Sequence, residues 1–357
     1  MIPVQNIYYL LCYAWNHFEE GDISDVASSD FDNVVDLLAS VLCRGTGRLL
    51  KKGLDRGYLE QEEVLSTIRG RIDVSFTVRH GLHHRGRALC RFDELEYDIL
   101  HNQILKSTLR RLLQLPGLDS KISNQVRGVY RRLTNIQDIP LTPSLFKRTT
   151  LHRNNRYYRF LLHVCELIAT YSLPDEKNGG YRFMDFLRDE TRMARLFENF
   201  VRNFYAREQR EYCVNAERLS WPVELAAEGR EADLNYLPAM FTDVSLRSTT
   251  RTLIIDTKYY QGALTSKYGG APKVSSGNLY QINTYLSSLE PNAYPDCAAE
   301  GLLLYPTNGY DLDLAWKIRG HRVGVRTLDL SQNWQLIHQC LLNMVGINTI
   351  NEPVYVT

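Results

Sequence analysis

The chain has 357 residues, 44% of them hydrophobic and 23% charged, and a formal net charge of +1 at pH 7. These values describe an ordinary globular protein of about two domains. The near-neutral charge argues against a chain that grips a long stretch of nucleic acid unaided, because phosphate contacts dominate that affinity and call for a basic surface.

No run of about 18 apolar residues occurs, so no membrane span is expected. The opening Met1-Ile2-Pro3-Val4-Gln5-Asn6 lacks the basic start and apolar core of a signal peptide, which makes the cytoplasm the expected compartment. Seven cysteines are scattered at 12, 43, 90, 165, 213, 297 and 340 without a CxxC pair. An odd, unpaired set argues against a disulfide framework and against a thiolate zinc site.

In chain order, residues 3–17 carry apolar residues at helical spacing and predict a buried first helix, and 33–51 a second. The alternation from Ser66 to Val78 predicts strand around a turn at Gly70. Residues 79–91 are basic and hold two glycines. They form either a solvated hairpin or a contact surface; His80, His83 and His84 lack the acidic or cysteine neighbours a metal site would want. Residues 93–113 and 120–134 predict helices. A turn-rich stretch with Pro140 and Pro143, then a basic run, places a domain boundary near 150. Further on, helices are expected at 157–171, 189–210 and 278–289, extended segments at 231–247 and 252–260, a Gly/Ser-rich loop at 261–277, and an apolar strand at 301–305. This alternation predicts an α/β arrangement with a mixed sheet.

The chemistry concentrates in Leu253-Ile254-Ile255-Asp256-Thr257-Lys258. Three apolar residues read as a buried strand that then delivers an acid and a lysine two positions apart, on one face. Burying such charges is costly unless something compensates them. Asp243 lies in a second extended segment, and the polar run Arg247–Arg251 reads as a turn that would bring it beside Asp256. Two converging carboxylates suit an oxygen-loving cation such as Mg2+, which can activate water and neutralise phosphate charge; the lysine can orient or deprotonate that water. Gln281 and Tyr285 share a helix face, either as plain polar positions or as a phosphate or water contact. Glu198 flanks the apolar stripe of the 189–210 helix, either solvated or supplying a further carboxylate to the metal.

Asp243, then Asp256-Thr257-Lys258, then Gln281-x-x-x-Tyr285 resembles the PD-(D/E)xK nuclease superfamily, with Thr242 where that pattern usually has proline. A resemblance over most of the chain is carried by IPVQNIYYLLCYAW at the start, IRGRIDV at 68–74, FDELEYDILHNQILKST at 92–108, GGYRFMDF at 179–186, LIIDTKYY at 253–260, NLYQINTYL at 278–286 and GLLLYP at 301–306. These segments are similar to the McrC family, the nuclease subunits of McrBC modification-dependent restriction systems. The resemblance implies a C-terminal restriction-endonuclease-like core (151–357) with a mixed sheet flanked by helices. A mixed α+β N-terminal domain (1–150) would dock on an AAA+ GTPase partner and stimulate it. It implies Mg2+-dependent cleavage of double-stranded DNA carrying methylated cytosine, with Asp243, Asp256 and Lys258 catalytic and Asp243 and Asp256 holding the metal.

The sequence contains no GxxxxGK[ST] phosphate loop, so a nucleotide-driven motor would be another chain and GTP would bind there. Arg69, Arg71 and Asp73 are either partner-facing or joined in internal salt bridges. DNA would run along the Lys267–Lys273 loop, and cutting both strands would need two such subunits to meet. The rival expectations are a non-catalytic adaptor of an AAA+ motor and a stand-alone repair nuclease.

Overall fold

Helix α1 (Val4–Ala14) packs with elements that lie almost two hundred residues further along the chain. A computed structural model describes residues 2–17, 31, 33–151, 156–174, 180–226, 229–259, 264–265, 272–290 and 293–347. The chain forms two compact units, one of Phe31–Asp185 and the other of Met1–Asp30 with Phe186–Thr357. The division therefore differs from the expected boundary near 150. The reason is apolar burial: α1 is buried on most of its faces against the C-terminal unit, and the helix predicted at 157–171 completes the core of the other unit.

In the Phe31–Asp185 unit, α2 (Val34–Lys52) starts where the Asn33 side chain accepts from the Asp36 backbone at 2.8 Å. It ends at Gly53, whose φ of +94° a side chain would resist. A three-stranded antiparallel sheet follows, in the order β1 (Gly57–Leu65), β3 (Ala88–Glu96), β2 (Arg71–Ile72). Between β2 and β3 lie α3 (Val74–Arg79) and a 3-10 turn at Leu82–Arg85. Helices α4 (Leu100–Leu112), α5 (Ser120–Arg132), α6 (Pro143–Arg148) and α7 (Arg156–Tyr171) and the short pair β4 (Ser172–Pro174) and β5 (Tyr181–Phe183) complete it. Leu37, Leu38, Leu42, Ile104, Leu109, Val164 and Ile168 form its dry interior.

Two expectations fail in this unit. Residues 74–78 are helix rather than strand, because the Asp73 carboxylate caps the Phe76 N–H at 2.8 Å and starts a turn there. Residues 93–96 are strand rather than the start of a helix. They pair with β1, and that outweighs the helix preference of the acidic residues. The basic 79–91 stretch is mostly helical turn and strand rather than open loop.

The other unit is built on a six-stranded mixed sheet in the order β14, β15, β13, β10, β9, β6. Its parts are α8 (Glu190–Glu208), β6 (Cys213–Asn215), the short pair β7 (Arg218–Leu219) and β8 (Met240–Phe241), β9 (Val244–Arg247) and β10 (Thr252–Thr257). The short pair β11 (Leu264–Thr265) and β12 (Lys273–Val274) precedes α9 (Ser276–Ser287). The chain continues through β13 (Glu300–Pro306), β14 (Asp313–Ile318), β15 (His321–Leu328) and α10 (Trp334–Met344). The segment 231–236 is a 3-10 turn rather than strand.

Strand β10 is buried along its whole length and runs parallel to β13 and antiparallel to β9. Alternation sends Ile254 to one face, where it packs with Ile282, Tyr285 and Leu286 of α9. A Cβ on Gly301, beside Ile254 in the sheet, would sit 2.7 Å from Ile282, so only glycine lets α9 approach this closely. α8 packs against β6, β9 and β10, and α1 lies against α8, where Tyr13 meets the rings of Phe200 and Phe204.

Candidate active site

The antiparallel ladder between β9 and β10 ends at the pair Val244 and Ile255. One step further, the register sets Asp243 opposite Asp256. A mixed sheet thus brings together two acids thirteen positions apart in the chain. The Asp243 Oδ2 accepts hydrogen bonds from the Thr257 backbone N–H at 2.7 Å and from the Thr257 hydroxyl at 2.8 Å. This clamp ties the two strand ends together at the acids.

Asp256 is fully buried. Its Oδ2 lies 2.7 Å from the Lys258 ammonium, which also donates to Gln281 Oε1 at 3.0 Å. The Gln281 amide in turn donates to the Tyr285 hydroxyl at 2.7 Å. Lysine, glutamine and tyrosine therefore form one chain of hydrogen bonds reaching the buried acid, and i, i+4 spacing on α9 makes it possible. Neither oxygen of Asp256 receives a well-aligned hydrogen bond among the described residues. Its carboxyl is raised to about 7, first by burial and then by the charges of Asp243 and Glu198, against the pull of Lys258.

Glu198 is half-buried on α8, and its Oε1 accepts from Arg202 Nη1 at 2.8 Å. The same Nη1 donates to the Asp243 backbone carbonyl at 3.0 Å. Sequence reasoning missed Arg202 and Thr257. The i, i+4 spacing of Glu198 and Arg202 was a usable signal for the first; nothing in the sequence alone marks Thr257 as a clamp.

The site brings together Asp243, Asp256, Lys258, Gln281, Tyr285 and the charge of Glu198. Arg69, Arg71 and Asp73 lie in the other unit. There Arg69 pairs with Glu94 at 3.3 Å and stacks over the Phe92 ring, and Asp73 caps α3 and meets Arg91 at 3.2 Å. Arg71 is exposed on β2. Of the Lys267–Lys273 loop, only Pro272 and Lys273 fall within the described residues, both exposed, with Lys273 at the start of β12.

A divalent cation fits this donor set. Asp256 Oδ1 is a buried acceptor with no hydrogen-bond donor among the described residues. No group of three or more His, Cys, Asp or Glu side chains there is gathered closely enough to hold an ion alone. Magnesium keeps several waters and takes only one or two carboxylates plus phosphate oxygens. No described helix is long and apolar enough to cross a membrane.

The chain is 37% identical over 345 residues to the type IV methyl-directed restriction enzyme EcoKMcrBC of Escherichia coli (strain K12), covering 96% of this chain and 97% of that protein. Its fold is similar to a refined half-complex from a tetradecameric assembly of Thermococcus gammatolerans McrB AAA+ hexamers with bound McrC. That likeness has a TM-score of 0.57 at 16% identity and covers 96% of this chain and 76% of the other. Residues 5–306 match the family described as McrBC 5-methylcytosine restriction system component, and the chain belongs to that family.

Proposed function

We propose that this chain is the Mg2+-dependent endonuclease subunit of an McrBC-type restriction complex, cutting double-stranded DNA that carries methylated cytosine. The observation that carries the reading is the fully buried Asp256, paired with Lys258 at 2.7 Å and coupled to Asp243 across the sheet. A fold keeps such costly charges together where they do work.

Asp243 and Asp256 would hold the ion, and magnesium, when bound, supplies an activated water and neutralises phosphate charge. Thr257 orients Asp243 by its two hydrogen bonds. Lys258, held by Gln281, presents its ammonium where negative charge develops on the phosphate and can hold or pass the proton of the attacking water. Tyr285 fixes Gln281 from the far side. The burial around Ile254 and Ile282 keeps bulk water from beneath the acids.

The partner is proposed to be an McrB-type AAA+ GTPase hexamer. The similar solved structure holds McrC bound to McrB AAA+ hexamers, and this chain carries no phosphate loop of its own. The Phe31–Asp185 unit, with Arg69, Arg71 and Asp73, is proposed as the surface that docks and stimulates that partner. Two subunits would pair to cut both strands. A second reading is an adaptor that no longer cuts, favoured by the absence of a three-ligand cluster among the described residues.

Cleavage of methylated plasmid with Mg2+, GTP and the partner separates the two readings. Asp256→Ala and Lys258→Ala are expected to lower cleavage by about 10²–10³-fold or more while stimulated GTP hydrolysis persists. Variants that cut like the wild type would make the chain an adaptor.

A further inference from the structure

Each of the three acids near the sheet end has one oxygen facing a neighbouring charge or hydrogen-bond donor. Asp256 Oδ2 meets Lys258, Asp243 Oδ2 meets Thr257, and Glu198 Oε1 meets Arg202. Asp256 Oδ1 has no hydrogen-bond donor among the described residues. Two of these donors follow from the strand itself. The third, Arg202, comes from α8, and its guanidinium does a double task.

Arg202 Nη1 bridges the Glu198 carboxylate at 2.8 Å and the Asp243 carbonyl at 3.0 Å, and its Nη2 donates to Asn199. One planar fork with three acceptors has little freedom to rotate. It therefore fixes the helix acid relative to the strand acid. Three carboxylates this close would repel one another. The guanidinium offsets the Glu198 charge directly and meets Asp243 through its backbone carbonyl, leaving the Asp243 carboxylate to Thr257.

Resting on the metal-dependent reading of the site, we infer that Arg202 is a positioning residue for the cation. It holds Glu198 toward the acids that would bind the ion and holds the strand entrance that carries Asp243. Partners of this kind hold ligands in register, and losing one weakens metal affinity.

The test is Mn2+ binding to the full chain, followed by electron paramagnetic resonance without DNA, nucleotide or partner. Wild type is expected to bind, and Asp256→Asn to lose binding. Arg202→Ala should raise the half-saturating Mn2+ concentration about 10–100-fold, and Arg202→Lys, which keeps the charge and loses the fork, should fall between. Because Arg202 acts through Glu198, adding Arg202→Lys to Glu198→Gln should weaken binding less than the two single effects combined. Melting in EDTA checks that each variant is folded. If Arg202→Ala and Arg202→Lys bind Mn2+ as tightly as wild type while Asp256→Asn does not, Arg202 only packs the helix, and the nuclease reading stands without it. If folded wild type takes up no Mn2+, the metal reading itself fails and the inference falls with it.

Discussion

Two ion pairs in this molecule cost the fold very different amounts. Lys258 and Asp256 face each other with side chains 12% and 0% exposed, whereas Arg69 and Glu94 are 52% and 39% exposed. The outer pair sits in water, where it gains little and costs little. The inner one surrenders hydration that a single lysine cannot replace, as the raised carboxyl of Asp256 records. The strands around them differ in the same way. β10 is buried throughout, while β1 and β3 alternate and leave Tyr58, Val64 and Leu95 exposed. The same residue types form a buried candidate site in one unit and open surface in the other, and burial is what separates them.

The largest expected effect lies in the buried layer. Ile254→Ala should destabilise the protein by about 2–5 kcal/mol by opening a cavity against α9, measured by denaturant unfolding. An equal loss from Val64→Ala in the exposed sheet would erase the contrast. A smaller effect concerns Glu208, half-buried beside His338 and Tyr13 at 3.1 and 2.8 Å. Burial raises its carboxyl, but the hydrogen bonds from His338 and Tyr13 and the nearby charges outweigh burial and hold it below its ordinary value of 4.5. A lowered carboxylate gives stability that is present above its unfolded value and lost as pH falls through the folded one. The melting temperature of Glu208→Gln should therefore trail wild type near neutral pH and converge on it in acid below 4.5. A gap that widens in acid would reverse the sign. The smallest effect is Arg69→Ala, about 0–1 kcal/mol and shrinking with salt. Any larger loss would appear in stimulated GTP hydrolysis if that surface docks the partner.

Much of the active strand was legible. Leu253-Ile254-Ile255 announced burial, and the polar turn between Arg247 and Arg251 implied the pairing that sets Asp243 against Asp256. The helix faces of α8 and α9 followed from spacing, which is how Gln281 and Tyr285 were found. Cross-strand context was not legible. Glu94 and Glu96 favour helix locally, and only pairing with β1 makes them strand. Arg69 and Asp73 could be weighed but not assigned, since their partners Glu94 and Arg91 lie about twenty residues away and across a sheet. The place of α1 was hidden for the same reason: nothing near residue 10 states that its cover is Phe200, Phe204 and Trp334.

That placement of α1 has a consequence in time. Asn6 donates to the carbonyls of Leu330 and Gln332, the former across 324 positions. A ribosome adding about 5–20 residues per second needs roughly 15–65 s to span that gap. Helix α1 is made before any of its cover, and its apolar surface must wait through the whole intervening unit for the helix Glu190–Glu208 and longer still for the Leu330 segment. An apolar helix held in waiting is a binding site for chaperones, so the step most exposed to misassembly is the one in which the second unit closes over its own first helix.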